Sequence, residues 1–159
     1  MTLVIGVGNP DRGDDGIGPL VARRIAECAL PGVTALARSG DALALIEDWA
    51  GQESVVLVDA AMPNGRRPTP GRVHRIDLLA GSLPPGLALS STHMLGVAEA
   101  VGLARALGML PNRIVAYAIE GEKFEPGAGL SPAVAGALDE AVARVGEEVC
   151  ALLAHPAEA

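Results

Sequence analysis

The sequence predicts an α/β fold, a three-layer arrangement in which helices cover both faces of a mostly parallel, twisted five-stranded sheet. Short apolar runs alternate with amphipathic segments in the order β-α-β-α-β-β-α-β-α, an alternation typical of parallel sheets. Two runs, 54–60 and 113–119, are apolar almost throughout, as expected for central strands buried on both faces. A glycine-rich turn joins the first strand directly to the first helix.

The separate elements follow from apolar periodicity and from the turn residues between them. Pro31-Gly32 and Pro111-Asn112 each interrupt a helical pattern before a strand begins. In chain order the predicted elements are strand 3–5, helix 15–28, strand 33–37, helix 42–49, strand 54–60, edge strand 71–77, helix 92–107, strand 113–119 and one final helix from Ser131-Pro132 towards Leu153.

Length and composition are those of one domain with an aliphatic core. The only aromatic side chains among the 159 residues are Trp49, Tyr117 and Phe124, so no stacking platform for single-stranded nucleic acid is expected. The formal net charge of -7 also argues against a nucleic-acid partner, because phosphate binding needs a basic face. Residues 1–154 are predicted to form the domain, with 155–159 as a frayed tail.

The cysteines and the apolar runs indicate a reducing compartment. Cys28 and Cys150 lie far apart and neither belongs to a CxxC pair, so both are assigned to the core rather than to a disulfide or a zinc site. The first strand begins directly after Met1, which leaves no room for a signal peptide, and no apolar run approaches membrane-spanning length. We expect a cytoplasmic protein without a membrane partner, acting as a monomer.

The first loop, residues 6–18, combines five glycines with three aspartates, Asp11, Asp14 and Asp15. It is not a dinucleotide loop, because Asp11 stands where the GxGxxG pattern needs glycine, and no Gly-Lys-Ser/Thr follows for a phosphate-binding P-loop. The carboxylates suit a cation, or they cap the following helix.

A metal site is the sharper of these two interpretations. Asp15, Asp59 and His93 follow or precede elements whose ends meet at the carboxyl edge of a doubly wound sheet. Two carboxylates and one imidazole suit a divalent transition ion and leave coordination positions open. Each residue also has a structural interpretation, since both aspartates can cap a helix or turn and His93 can be an ordinary first-turn residue.

Other polar residues are less informative. His74 is expected to face solvent on an edge strand, and His155 lies in the tail. The serines beside His93 lack the Gly-x-Ser-x-Gly pattern of a nucleophile elbow, so they are predicted to cap the helix. Arg66 and Arg67 are expected to be a solvated loop pair that could also contact an acidic partner.

Three separated motifs resemble the hydrogenase maturation endopeptidases. They are Gly6-Val7-Gly8-Asn9-Pro10 with 12–18, then Val58-Asp59-Ala60, then Ser91-Thr92-His93. The stretches Glu120-Gly121 and 126–132 are also similar to that family, so the resemblance covers nearly the whole chain.

The resemblance implies an endopeptidase that removes a short C-terminal extension from the large-subunit precursor of a nickel-iron hydrogenase after nickel insertion. Carried over by motif, the metal-binding and catalytic residues are Asp15, Asp59 and His93, an aspartic-type arrangement. The nickel ion would be met on the precursor, and another divalent ion could occupy the site in the isolated protein. Many members carry Asp-Gly-Gly after the second strand, where this chain has Ser39-Gly40-Asp41, and Asp41 is a displaced candidate equivalent.

Two rival functions remain open at this point. A peptidyl-tRNA hydrolase has a similar Gly-x-Gly-Asn-Pro loop, but it needs a basic surface and an early histidine, and the first histidine here is His74. A non-catalytic nickel-binding factor in hydrogenase assembly would keep the same metal-recognition loop.

Overall fold

The structure is a computed structural model that describes residues 1–63, 65–80 and 92–158, with only the helical backbone described for 92–95. The strands are β1 (Thr2–Val7), β2 (Val33–Arg38), β3 (Ser54–Ala61), β4 (Val73–Asp77) and β5 (Arg113–Glu120). The helices are α1 (Ile17–Glu27), α2 (Ala42–Trp49), α3 (Thr92–Leu107), α4 (Pro132–Gly136) and α5 (Leu138–Ala154), and a 3-10 turn, Gly13–Gly16, precedes α1.

The five strands form one sheet in the order β2-β1-β3-β5-β4. β1 pairs in parallel with both β2 and β3, and β3 pairs in parallel with β5. β4 is the exception, because it runs antiparallel to β5 at the edge of the sheet. The predicted α/β fold class and the predicted edge strand are both confirmed.

Helices cover both faces of this sheet, and each face has its own aliphatic core. On one face α2 and α3 contribute Leu45, Trp49 and Val97 to a cluster with side chains of the strands. On the other face α1 and α5 contribute Ile25 and Val145 to a second cluster. Burial of these apolar side chains is the main stabilising term of the fold.

Three sequence predictions about these elements were wrong. The C-terminal helix is divided into α4 and α5, which meet at Ala137. Cys28 and Cys150 are exposed rather than part of the core. Both cysteines lie beside the buried stripe of an amphipathic helix, and a shift of one residue around a helix moves a side chain by about 100°.

The carboxyl ends of β1, β2, β3 and β5 meet at one edge of the sheet, where the loops that follow them gather. The first turns of α3 lie at the same edge, because α3 leads into β5, which begins at the opposite edge. A Cβ added to Gly96 would lie 2.2 Å from the Gly40 carbonyl oxygen, so the start of α3 packs tightly against the loop after β2. Within the described residues, no helix is both long and apolar enough to cross a membrane.

Candidate active site

Asp15 lies in the 3-10 turn that follows β1, and its side chain points inward. The residue is 2% exposed, and its Oδ2 accepts a hydrogen bond of 2.9 Å from the Asn9 backbone N–H. Gly8 permits this arrangement: its φ is +145°, and a Cβ there would lie 1.9 Å from the Asp15 carbonyl oxygen. Only glycine tolerates both that backbone conformation and that approach.

Asp59 lies near the carboxyl end of β3 and is equally buried, at 2% exposure. Among the described residues, neither of its carboxylate oxygens has a hydrogen-bond partner with normal distance and angle. Burial raises the pKa of Asp59 well above its usual value, and the negative charge of Asp15 raises it further, although the nearby Ala60 amide opposes this. A buried carboxylate with so few donors is costly unless a cation or another donor compensates it.

Close packing brings these two carboxylates together. Gly18 in α1 lies against both β1 and β3, because a Cβ there would be 2.5 Å from the Val7 carbonyl oxygen and 2.4 Å from that of Val58. Gly6 pairs with Val58 across the two strands. The glycines thus press the turn carrying Asp15 onto the end of the strand carrying Asp59.

Asp14, the neighbour of Asp15, has a different role from the predicted helix cap. Its Oδ2 accepts hydrogen bonds from the backbone N–H groups of Glu122 (2.8 Å) and Lys123 (3.0 Å) and from the Ser131 hydroxyl (3.0 Å). Its Oδ1 accepts from the Ser131 N–H at 2.7 Å. The side chain makes no cap bond to the 3-10 turn or to α1. Asp14 therefore anchors the loop after β5 beneath the site.

Backbone hydrogen bonds tie the same two loops together. The Gly13 N–H donates to the Ala128 carbonyl at 2.9 Å, and the Asp14 N–H to that of Lys123 at 2.7 Å. In the reverse direction, the Gly127 N–H donates a hydrogen bond of 2.7 Å to the Asp11 carbonyl. The loop at 121–131 is consequently bound to the first loop through both the Asp14 side chain and the backbone.

A fourth buried carboxylate, Glu120, lies at the end of β5 and binds side chains from the segment before β4 and from β4 itself. It accepts two hydrogen bonds from the Arg66 guanidinium, at 3.1 and 2.8 Å, and one of 2.9 Å from the Thr69 N–H. His74 Nε2 lies 2.5 Å from its Oε2. The prediction that His74 faces solvent was therefore wrong, whereas Arg66 is exposed, as predicted, while it binds Glu120.

Burial by itself would raise the pKa of Glu120, but the bonds from Arg66, Thr69 and His74 outweigh it and lower the pKa to about 2. The carboxylate is thus charged at neutral pH and fully satisfied, in contrast to that of Asp59. Sequence analysis missed this cluster. The one available signal was a glutamate that ends an apolar strand immediately before Gly121.

The structure places the backbone of His93 in the first turn of α3, at the same edge as the two aspartates. Asp59 also lies on the face of the sheet that α3 covers, since its neighbours two residues away, Leu57 and Ala61, belong to the core beneath α2 and α3. The His93 side chain and the serines before it lie outside the described side chains. Among the side chains that are described, no three His, Cys, Asp or Glu residues are grouped to hold a metal ion.

Asp41, the displaced candidate in the second loop, caps a helix. Its Oδ1 accepts a 3.1 Å hydrogen bond from the Leu43 N–H at the start of α2, an ordinary N-cap interaction. The loop nevertheless borders the site, because Gly40 contacts Gly96 of α3.

The protein is therefore an α/β protein with a doubly wound sheet and an acidic site at the carboxyl edge of that sheet. A family model described as hydrogenase maturation protease matches residues 35–148. The chain belongs to this family, and therefore to a family of peptidases.

Individual relatives agree with the family. The hydrogenase 2 maturation protease of Escherichia coli K12 is 27% identical over 147 residues, which cover 90% of this chain and 87% of that protein. The hydrogenase expression/formation protein HupD of Rhodobacter capsulatus is 28% identical over 151 residues, covering 92% and 70% respectively. The fold matches the hydrogenase maturating endopeptidase HybD of E. coli with a TM-score of 0.72 and 24% identity, over 95% of this chain and 91% of that one.

Proposed function

We propose that this protein is an endopeptidase that removes the C-terminal extension of a nickel-iron hydrogenase large-subunit precursor after nickel insertion. The observation that carries the proposal is the pair of buried carboxylates, Asp15 and Asp59, at the carboxyl edge of the sheet, in a chain of the hydrogenase maturation protease family. The relatives' names supply hydrogenase as the target, and we transfer that target to this chain. We expect the protein to act in the cytoplasm as a monomer.

We further propose that Asp15, Asp59 and His93 recognise the nickel ion that the precursor already carries. The donor set fits such an ion: both oxygens of Asp59 lack donors among the described residues, and oxygen with imidazole nitrogen suits a divalent transition metal. Positive charge at this point would remove the cost of holding two buried carboxylates side by side.

The chemistry follows from this placement. The aspartates orient the precursor so that its scissile bond lies beside them. One carboxylate accepts a proton from water as the water oxygen bonds to the scissile carbonyl carbon, and it returns that proton to the departing nitrogen as the C–N bond breaks. A nickel ion bound there supplies Lewis-acid polarisation of the scissile carbonyl.

The deciding experiment compares nickel-loaded and nickel-free precursor, with the product identified by mass. We expect cleavage of the loaded form alone; equal cleavage of both would refute nickel recognition. A precursor that is bound but left intact under both conditions would favour the non-catalytic assembly factor.

Replacing His93 by alanine is expected to lower cleavage at least about 100-fold without changing the thermal unfolding midpoint. His155→Ala, in the C-terminal segment, is the matched control and should cleave normally. Normal cleavage by the His93 variant would remove that residue from the site.

A further inference from the structure

The outer edge of β2 is open to pairing. Among the described strands, β2 lies at the end of the sheet and pairs with β1 alone. In a parallel pair, alternate residues direct both backbone groups to the partner. The Thr2 and Gly8 N–H groups donate to the Gly32 and Arg38 carbonyls, both at 2.9 Å. The even-numbered residues of β2 therefore face β1, and Val33, Ala35 and Ala37 direct their N–H and C=O groups outward.

Some of these outward groups are used within the chain. The Val33 N–H donates to the Leu30 carbonyl at 3.2 Å, and the Ala37 carbonyl accepts from Arg38 Nη1 at 3.1 Å. In the described part of the chain, the N–H groups of Ala35 and Ala37 donate to no backbone carbonyl of a loop, turn or cap. No proline lies in β2 to block an additional strand.

A groove of about 410 Å³ runs along this edge between β2 and α1. The small side chains of Ala35 and Ala37 form its floor, while Leu20 and Arg23 of α1 form one wall. At the carboxyl end the groove is continuous with the first loop. The residues lining that end are Pro10, Gly13, Gly16 and Leu130.

The opposite edge of the sheet is protected. Arg144 of α5 donates a 3.0 Å hydrogen bond to the outward carbonyl of Val73 in β4. Arg75 of the same strand is bound to Glu148 of α5 through two hydrogen bonds of 2.8 and 3.0 Å. Within the described residues, the β2 edge thus combines outward amides with a groove that ends at the first loop, next to the turn that carries Asp15.

We propose that β2 binds an extended segment of the hydrogenase precursor as a sixth strand of the sheet. This inference rests on the proposed function and specifies how the substrate is held. An extended chain is the occupant that the edge fits, because it carries alternating N–H and C=O groups at the spacing of Ala35 and Ala37. The six residues of β2 span roughly 20 Å, enough to pair with five or six substrate residues that lead towards the first loop.

The binding mode explains two features of this edge. Side chains on the inner face of an added strand would enter the groove above Ala35 and Ala37. Larger side chains at positions 35 and 37 would fill that groove and keep the substrate side chains out. The segment would reach the first loop at Pro10 and Gly16, next to the turn that carries Asp15. Backbone pairing would hold a flexible tail with little demand on its sequence, and the active site would need only to position one peptide bond.

Proline substitutions test the edge directly. Ala35→Pro and Ala37→Pro each remove an outward N–H without removing a bond to β1, and proline is tolerated on such edges. Asp77→Pro, at an outward position of β4 on the opposite edge, is the matched control. We expect the two β2 variants to bind nickel-loaded precursor about tenfold more weakly or worse, and the control to bind as the parent protein does, with all variants folded by thermal unfolding.

Synthetic peptides that span the cleavage site provide a second measurement independent of variant folding. Each test peptide carries one backbone N-methyl group. The strength with which these peptides compete with the precursor should alternate between weak and strong as the methyl group moves along the peptide one residue at a time. Equal competition at every position, or none by the unmethylated peptide, would overturn the inference, as would normal precursor binding by the folded proline variants.

Two further outcomes separate the possibilities. If the proline variants changed the oligomeric state in light scattering but left precursor binding unchanged, the edge would serve a second copy of this chain and the inference would fail. Failure of the proposed function looks different, because the parent protein would then leave the bound precursor uncut.

Discussion

Asp59 is the residue whose surroundings cost the fold stability. Its carboxylate is buried beside that of Asp15 and receives no hydrogen bond from a described residue. Asp59→Asn removes the repulsion while keeping the shape. We expect the metal-free variant to be more stable by about 0.5–2 kcal/mol and inactive towards the precursor. Chemical unfolding measures the first effect, and Asp11→Asn in the same loop is the control. A destabilised variant would contradict the expectation.

Asp14 should behave in the opposite way. Alanine at this position would leave the amides of Glu122, Lys123 and Ser131 without their acceptor. Since hydrogen bonds to a charged acceptor contribute strongly, we expect a loss of roughly 3 kcal/mol. Hydrogen exchange should also show faster exchange of those three amides. Asp11→Ala removes an exposed carboxylate from the same loop and should change neither quantity, and unaltered protection in the Asp14 variant would refute the anchor role.

At the residue scale the sequence could identify the acidic loop, but it could not assign separate roles to the aspartates in that loop. Asp14 and Asp15 are adjacent and chemically identical, and their roles differ only through distant partners. Ser131 is separated from Asp14 by 117 positions, and neither periodicity nor turn chemistry reports a contact of that kind. Glu120 was missed for the same reason, because Arg66, Thr69 and His74 come from another segment.

The Glu120 cluster joins elements, since it fastens the 66–69 segment and β4 to the end of β5. Folding lowers the pKa of Glu120 from its ordinary 4.5 to about 2, so the folded state binds fewer protons. The charge therefore stabilises the fold above pH 4.5 and the contribution is lost as pH falls towards 2. At about 1.4 kcal/mol per pKa unit, this contribution is about 3 kcal/mol.

Glu120→Gln should accordingly lose stability at pH 7 and show a flatter dependence below pH 4.5. Urea unfolding of both proteins between pH 7 and 3 measures the difference. Glu122→Gln, a neighbouring exposed glutamate, is the control. Curves that stay parallel through the acid range would show that the carboxylate charge is not what stabilises the cluster.

α3 offers a matched pair of glycines for testing its contact with the second loop. A Cβ on Gly96 would lie 2.2 Å from the Gly40 carbonyl oxygen, whereas one on Gly102 would meet nothing within 4 Å. Gly96→Ala should destabilise the protein by about 1–3 kcal/mol and impair cleavage, because it displaces the helix that carries His93. Gly102→Ala should stabilise it by about 0.5–1 kcal/mol. Equal thermal shifts in the two variants would disprove the tight contact.

At the element scale the sequence predicted most of the structure, because burial and hydrogen bonding act there on local patterns. The continuous apolar run of β3 and the alternation of β4 correctly indicated a central and an edge strand. The division between α4 and α5 was not predictable in that way. Ala137 keeps right-handed backbone angles, φ -88° and ψ -6°, so the break leaves the helical periodicity almost intact.

At the scale of the whole molecule, topology brings the candidate site together from residues 15, 59 and 93. Each lies on an element whose carboxyl or amino end reaches the same edge, and the sheet order β2-β1-β3-β5-β4 places β1 beside β3. That convergence follows from the general rule for doubly wound sheets. The burial of the Asp15 and Asp59 side chains does not follow from that rule, because it depends on the glycines that allow α1 to pack closely against β1 and β3.

Such a site should couple ion binding to the stability of the entire fold. The unfolded chain cannot hold residues 15, 59 and 93 together, so an ion that binds there stabilises only the folded state. With nickel or zinc at 100 times its dissociation constant, we expect about 2.7 kcal/mol of added stability, seen as a rise in the thermal unfolding midpoint. Asp59→Asn and His93→Ala should each abolish the rise, although the first begins from a more stable protein. His155→Ala should retain it, since it leaves the site untouched. An equal rise in all of these variants would place the ion elsewhere on the protein and would show that residues 15, 59 and 93 do not bind it.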